Sequence, residues 1–174
     1  MTNLKPLVHC ILDDYALPWH GTHGVGHWAR VLENGLRLAQ GTDAKVEIVQ
    51  LFAVFHDSRR INEWVDDGHG RRGADLAAQF RGKCFDLTDD DFELLQFACA
   101  HHTDGMTEAD ITVQVCWDSD RLDLGRVGTV PKPERLCTAA ARAPTMLKWA
   151  DGRACFELVP DLVKTEWGID LRGE

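Results

Sequence analysis

His56 and Asp57 close the apolar run Ile48-Val49-Gln50-Leu51-Phe52-Ala53-Val54-Phe55, which delivers an imidazole and a carboxylate side by side into an apolar interior. Buried polar groups need partners, and a divalent cation satisfies both at once. Further side chains able to ligate a metal lie on either side: His27 upstream, then His69, His101, His102 and Asp120 downstream. The six cysteines (Cys10, Cys84, Cys99, Cys116, Cys137, Cys155) form no C-x-x-C pair, so the donors are nitrogen and oxygen. Such a set suits Mn, Fe, Ni, Co or Zn, with Mg also accommodated.

These residues must be brought together, and the apolar spacing predicts helices that do it. Helices are expected over 4–15, 25–40, 44–55, 70–80 and from Thr88 to His102, with a charged loop or short helical turn from Ser58 to His69. Asp89, Asp90 and Asp91 complement the dipole of the helix that Thr88 caps. Residues 111–117 alternate in a way that suits a strand, yet a lone strand has no partner, so a helix is expected. After Pro131 and Pro133, one or two further helices and a short tail fill 133–174.

Spacing also sets direction. His56 lies four residues after Phe52 and seven after Val49, and so continues an inward stripe. His101 stands in the same relation to Phe97 and Leu94, His102 to Ala98 and Leu95, and His27 precedes Val31 by four. An all-α bundle with a metal site in its core is the expected architecture, with ligands contributed by facing helices. A single inward histidine is ordinarily a core residue bonded to a carbonyl; several together need a common partner.

At 174 residues the chain is one domain (1–174), and 44% hydrophobic with 27% charged residues is the make-up of an ordinary globular protein. A net charge of −9 argues against extended nucleic acid and acidic membranes as partners, but not against a small anion held by a cation and local arginines. No signal-peptide core and no membrane-length apolar run are seen, so a reduced cytoplasmic setting is expected, with the cysteines acting as small buried hydrophobes.

His27 within His23-Gly24-Val25-Gly26-His27-Trp28-Ala29-Arg30-Val31, His56-Asp57, and Asp120 within Asp118-Ser119-Asp120-Arg121-Leu122-Asp123 follow one another in order. Together they resemble the H…HD…D signature of the HD-domain metal-dependent phosphohydrolase superfamily, over about 19–127. The resemblance implies His27, His56, Asp57 and Asp120 as ligands of one ion, with Asp118 as a structural partner. His69-Gly70-Arg71-Arg72-Gly73-Ala74 and His101-His102 resemble elements of members that hold two metals, in which Asp57 would bridge ions about 3.5–4 Å apart. The alternative is one ion, with His69, His101 and His102 around it or on a phosphate. The family's usual continuation after the HD pair is replaced by Ser58-Arg59-Arg60, and the tyrosine-proline mark of the cyclic-dinucleotide branch is missing.

What the resemblance implies is hydrolysis of a small phosphate ester or nucleotide, with His56 and Asp57 at the catalytic centre. Arg59, Arg60, Arg71 and Arg72 offer forked donors for phosphate, Arg59, Arg60 and Arg72 being the preferred anchors. Glu63, Asp66 and Asp67 are unranked candidates for a general base. A di-iron oxygenase of the same superfamily is the alternative, followed by a regulatory module with a structural metal. Trp19, Trp28, Trp64 and Trp117 are packing residues or base-stacking surfaces; oligomeric state is not legible.

Overall fold

In the computed structural model, which describes residues 3–171, the chain is helical throughout. The helices are α1 (Lys5–Leu12), α2 (Val25–Ala39), α3 (Val46–Phe55), α4 (His69–Phe80), α5 (Asp89–His101), α6 (Ile111–Arg121), α7 (Ala139–Arg142), α8 (Pro144–Cys155) and α9 (Leu162–Thr165). No strand occurs among the described residues; one isolated bridge joins Arg81 to Phe85.

Helix α3 is the centre of the bundle because its sequence leaves it no polar face. Every residue from Ile48 to Phe55 is buried, and α3 packs against α2, α4, α5 and α6. A helix apolar all round belongs inside. Burying Leu51, Phe52 and Phe55 completely contributes about 1.5–3 kcal/mol each. Two of the helices around it, α5 and α6, start at side chains that accept from a free N–H group, and two others have a first-turn proline, which has none to satisfy. The Thr88 hydroxyl accepts from the Asp91 amide (3.3 Å) and the Asp110 carboxylate from the Thr112 amide (2.8 Å), while α1 and α8 carry proline in the first turn.

Two glycines set how closely α4 approaches its neighbours. A Cβ on Gly73 would stand 2.2 Å from the Phe55 carbonyl oxygen, and one on Gly70 would stand 2.3 Å from the Cys99 carbonyl oxygen and 2.9 Å from His102 Nδ1. Without side chains there, the start of α4 lies directly against the ends of α3 and α5, which brings His69 beside Asp57 and His102.

Where the structure differs from the sequence expectations, the reasons are local. Residues 111–117 are helical as expected, and α6 continues to Arg121, carrying Asp118 and Asp120 on a capped helix. The C-terminal part is more broken than one or two helices: a 3-10 turn at Pro133–Arg135, then α8, which begins at Pro144, flanked by the single-turn helices α7 and α9. All six cysteines are free thiols, but only Cys99 and Cys116 are buried; Cys10, Cys84 and Cys155 are exposed and Cys137 is half-buried, so the expectation of a uniformly buried set is corrected. No helix among the described residues is long and apolar enough to cross a membrane.

Candidate metal centre

The candidate ligands gather where helices end. His56 is the C-cap of α3, His102 the C-cap of α5, and Asp120 lies in the last turn of α6. Three helix C-termini, each carrying partial negative charge, therefore converge on one spot, a field that favours a cation. His27 comes from the first turn of α2 and His69 is the first residue of α4.

Two groups of donors result, and they share Asp57. One is His27, His56 and Asp57; the other is Asp57, His69 and His102; all are buried. Asp57 Oδ2 stands 3.4 Å from His27 Nε2 and 3.7 Å from His56 Nε2. Asp57 Oδ1 stands 3.1 Å from His69 Nε2 and 3.7 Å from His102 Nε2. Asp120 Oδ1 joins the first group, 3.5 Å from His27 Nε2 and 3.8 Å from His56 Nε2. The carboxylate of Asp57 thus offers one oxygen to each pair of imidazoles.

Hydrogen bonding at the far side of each ring fixes what the near side presents. Nδ1 of His27 lies 2.7 Å from Asp123 Oδ2, and Nδ1 of His56 3.2 Å from the Phe52 carbonyl oxygen. Nδ1 of His69 lies 2.6 Å from the Asp66 carbonyl oxygen, and Nδ1 of His102 2.7 Å from that of Cys99. All four partners only accept, so each Nδ1 carries a proton, and it is Nε2 that each ring turns toward the carboxylates. The Nε2 atoms of His27 and His56 face each other at 3.0 Å, as do those of His69 and His102. Two opposed lone pairs repel unless a positive charge lies with them. Asp57 Oδ1 and Asp120 Oδ1 are likewise buried with no hydrogen-bond partner among the described residues. Ring nitrogens held by outer acceptors beside unsatisfied carboxylate oxygens are what a divalent cation requires.

Electrostatics agree with that assignment. Burial drives the His56 pKa down to about 3 against the pull of Asp57 and Asp120, so the ring is neutral. Burial works to raise Asp120, but His56, Arg126 and the neighbouring imidazoles outweigh it and hold the carboxyl at about 2. Asp57 is held well below the ordinary carboxylate range by His56, His102, His27 and His69, again against burial. For His102 burial acts to lower the pKa, but the facing carboxylates of Asp57 and Asp120 outweigh it and raise it. Ionised carboxylates against a neutral ring form an acceptor-rich pocket.

Three residues around the cluster take roles that the sequence does not assign, although Arg30 and Asp123 stand inside the motifs that carry the resemblance. Asp123 receives His27 Nδ1–H and is itself gripped by Arg30, whose Nε and NH2 donate to its two oxygens at 2.7 and 3.0 Å. Arg126 donates to the carbonyls of Thr22 and Asp123 and turns NH2 toward the ligands, 3.8 Å from Asp120 Oδ1 and 4.0 Å from Asp57 Oδ2. The signal available was spacing: Asp123 and Arg126 follow Asp120 at intervals of three, the step of the helical turn that links α6 to the 3-10 segment Leu124–Val127. A cavity of about 230 Å³ opens against His27, Arg30 and Arg126.

The other expected site residues divide clearly. Arg60 reaches the cluster, its NH1 3.6 Å from Asp57 Oδ1 and 3.1 Å from His69 Nε2. Arg59 and Arg72 do not: Arg59 donates to the Asp14 carbonyl, while Arg72 donates to the Arg59 and Asp67 carbonyls and to Asp66. His101 is corrected too. It turns away from the cluster and bonds Asp104 (2.6 Å), with Phe97 below it 43% exposed. Glu63 is engaged by His23, whose Nδ1 lies 2.5 Å from its carboxylate, and Asp66 by Arg72 and the Ile61 amide. Asp118 accepts from the Cys137 and Thr138 amides and the Thr138 hydroxyl, a structural tie. Trp28 and Trp117 are core, Trp19 packs against the core, and Trp64 is 85% exposed.

No protein-family model, no curated protein and no solved structure matches this chain. What stands on its own geometry is an all-helical fold, compatible with an HD-like arrangement, around a buried histidine–aspartate cluster able to hold metal.

Proposed function

We propose that this chain is a metal-dependent phosphohydrolase of the HD type, acting on a small phosphate ester or nucleotide. The observation that carries the reading is Asp57, whose two oxygens each face a separate pair of imidazole nitrogens. When bound, divalent cations supply an acidified water and offset charge developing on phosphorus. His27, His56, Asp57 and Asp120 would hold one ion, and His69 and His102 with Asp57 a second. Around them, Asp123 fixes the ring of His27 and keeps its Nε2 unprotonated, and Arg30 holds Asp123 in turn. Arg126, anchored by two carbonyls, keeps NH2 free to receive a phosphoryl oxygen, and Arg60 brings a second guanidinium from the opposite side. The His23–Glu63 pair lies beside His27, the two imidazoles 6.2 Å apart edge to face.

The three-donor group also favours a second reading, a di-iron oxygenase, since His69, His102 and the shared Asp57 make room for a second redox-active ion. The two separate in one experiment. The protein loaded with Mn²⁺ or Fe²⁺ is assayed for phosphate release from a panel of phosphate esters and nucleotides, and for oxygen uptake with Fe²⁺. Phosphate release that disappears in His56→Ala and Asp57→Ala, with circular dichroism unchanged, is the expected result. Near-normal turnover in either variant would rule the hydrolase out, and oxygen uptake without phosphate release would favour the oxygenase.

A further inference from the structure

The two donor groups are not equivalent, because one of them is approached by a fixed positive charge. Arg60 is 6% exposed and its guanidinium is clamped by its own loop: Nε donates to the Asn62 carbonyl (3.3 Å) and NH2 to the Trp64 carbonyl (2.5 Å). That clamp aims NH1 at the donors of the second group. It lies 3.1 Å from His69 Nε2 and 3.6 Å from Asp57 Oδ1, two of the three atoms that would bind an ion there. Guanidinium never loses its proton, and NH1 lies 3.4 Å from His69 Nδ1 as well as 3.1 Å from Nε2, so it stands over the ring as a fixed positive charge beside the nitrogen a cation needs. Among the described residues the first group has no such neighbour within hydrogen-bond reach; Arg126 stays at 3.8 Å or more from its carboxylate oxygens. A cavity of about 470 Å³ lined by Arg60, Trp64, Asp67, His69, Thr103 and Asp104 gives ions and anions access to this side.

We propose that Arg60 and a second cation are competing occupants of the His69–Asp57 position, so that the four-donor group fills first and the three-donor group fills only as Arg60 is drawn off. An anion that accepts the NH1 hydrogens relieves the competition, which couples binding of a phosphate group to assembly of the second ion site. The same loop that holds Arg60 exposes Ile61, Trp64 and Val65, at 67%, 85% and 84%. The inference rests on reading the cluster as a metal centre, and its test separates the two.

The test is titration of the metal-free full chain with Mn²⁺, followed by calorimetry and by electron paramagnetic resonance of the free ion. The wild type is expected to show a tight and a weak class, with the weak class lost in His69→Ala and the tight class lost in His27→Ala. Arg60→Gln, which keeps donors and removes charge, should tighten the weak class by about tenfold or more, whereas Arg60→Lys, which keeps the charge, should not. Inorganic phosphate should tighten the weak class of the wild type more than that of Arg60→Gln. A weak class unchanged or lost in Arg60→Gln, with the tight class intact, overturns the competition and leaves the metal centre standing. Equal tightening by phosphate in both proteins overturns the coupling. A wild type that binds no Mn²⁺ removes the metal centre and this inference together.

Discussion

The two halves of the cluster are built from different materials. The half formed by His27, His56 and Asp120 sits on α2, α3 and α6, three mutually packed helices, and is backed by the buried chain of Asp123 and Arg30. The half formed by His69 and His102 rests on the first residue of α4 and the cap of α5, and its outer hydrogen bonds go to backbone carbonyls. In the first half His27 is fixed by a side chain whose loss removes charge, while His56 bonds the Phe52 carbonyl; the other half is set by backbone approach, through Gly70 and Gly73. The same ligand type thus depends on electrostatics in one place and on packing in the adjoining one.

Asp123→Ala should break the first half hardest. It removes the acceptor from His27 and strands Arg30, 4% exposed, without its counter-charge. Loss of a buried partner of this kind costs about 3–5 kcal/mol, and the tight metal class should weaken about 10- to 100-fold while the weak class survives. Thermal melting and Mn²⁺ titration read both effects. Gly70→Ala should strike the other half. Its Cβ would collide with the Cys99 carbonyl and His102, costing about 1–3 kcal/mol, and should abolish the weak class while sparing the tight one. Loss of the tight class instead would erase the distinction.

Legibility in the sequence follows the same division. The apolar run of α3 pointed to His56 and Asp57 because nothing polar competed with burial along it, and the fold class followed from the same periodicity. His101 and His102 were not separable, since both stand four and seven residues after apolar positions. Packing decided between them, burying Ala98 and Leu95 while leaving Phe97 exposed. Arg59 and Arg60 were equally alike in sequence. The turn in which the Arg60 amide bonds the Asp57 carbonyl, together with the loop clamp, sends only the second guanidinium inward. The role of Arg126 is not legible because it depends on a 3-10 segment that folds it back under Asp120.

A smaller effect concerns acid. His56 has a folded pKa lowered to about 3 from an ordinary 6.5, so the unfolded chain binds more protons between those values and stability falls as pH drops from about 6.5. Asp120, lowered to about 2 from 3.8, adds a further loss below about 3.8. His102, raised above 6.5, contributes stability that is fully present below that pH and so adds no slope there. Melting temperatures of the metal-free protein should therefore decline below pH 6.5 and more steeply below 3.8, and His56→Gln should flatten the upper part of that decline. An identical profile in the variant would contradict the assignment of the acid sensitivity to the first half. Smallest of all, Arg59→Ala, which removes only bonds to the Asp14 and Ser58 carbonyls, should shift stability by no more than about 0.5 kcal/mol and leave both metal classes in place.

The most direct measurement of the central claim is metal content per chain, by elemental analysis, of protein dialysed to equilibrium against saturating Mn²⁺ and inorganic phosphate and corrected for the free ion, for the wild type and His69→Ala. Two ions per chain falling to one in the variant is the result expected of donor groups joined through Asp57. A wild type with no bound metal, or a variant that still holds two, would contradict it.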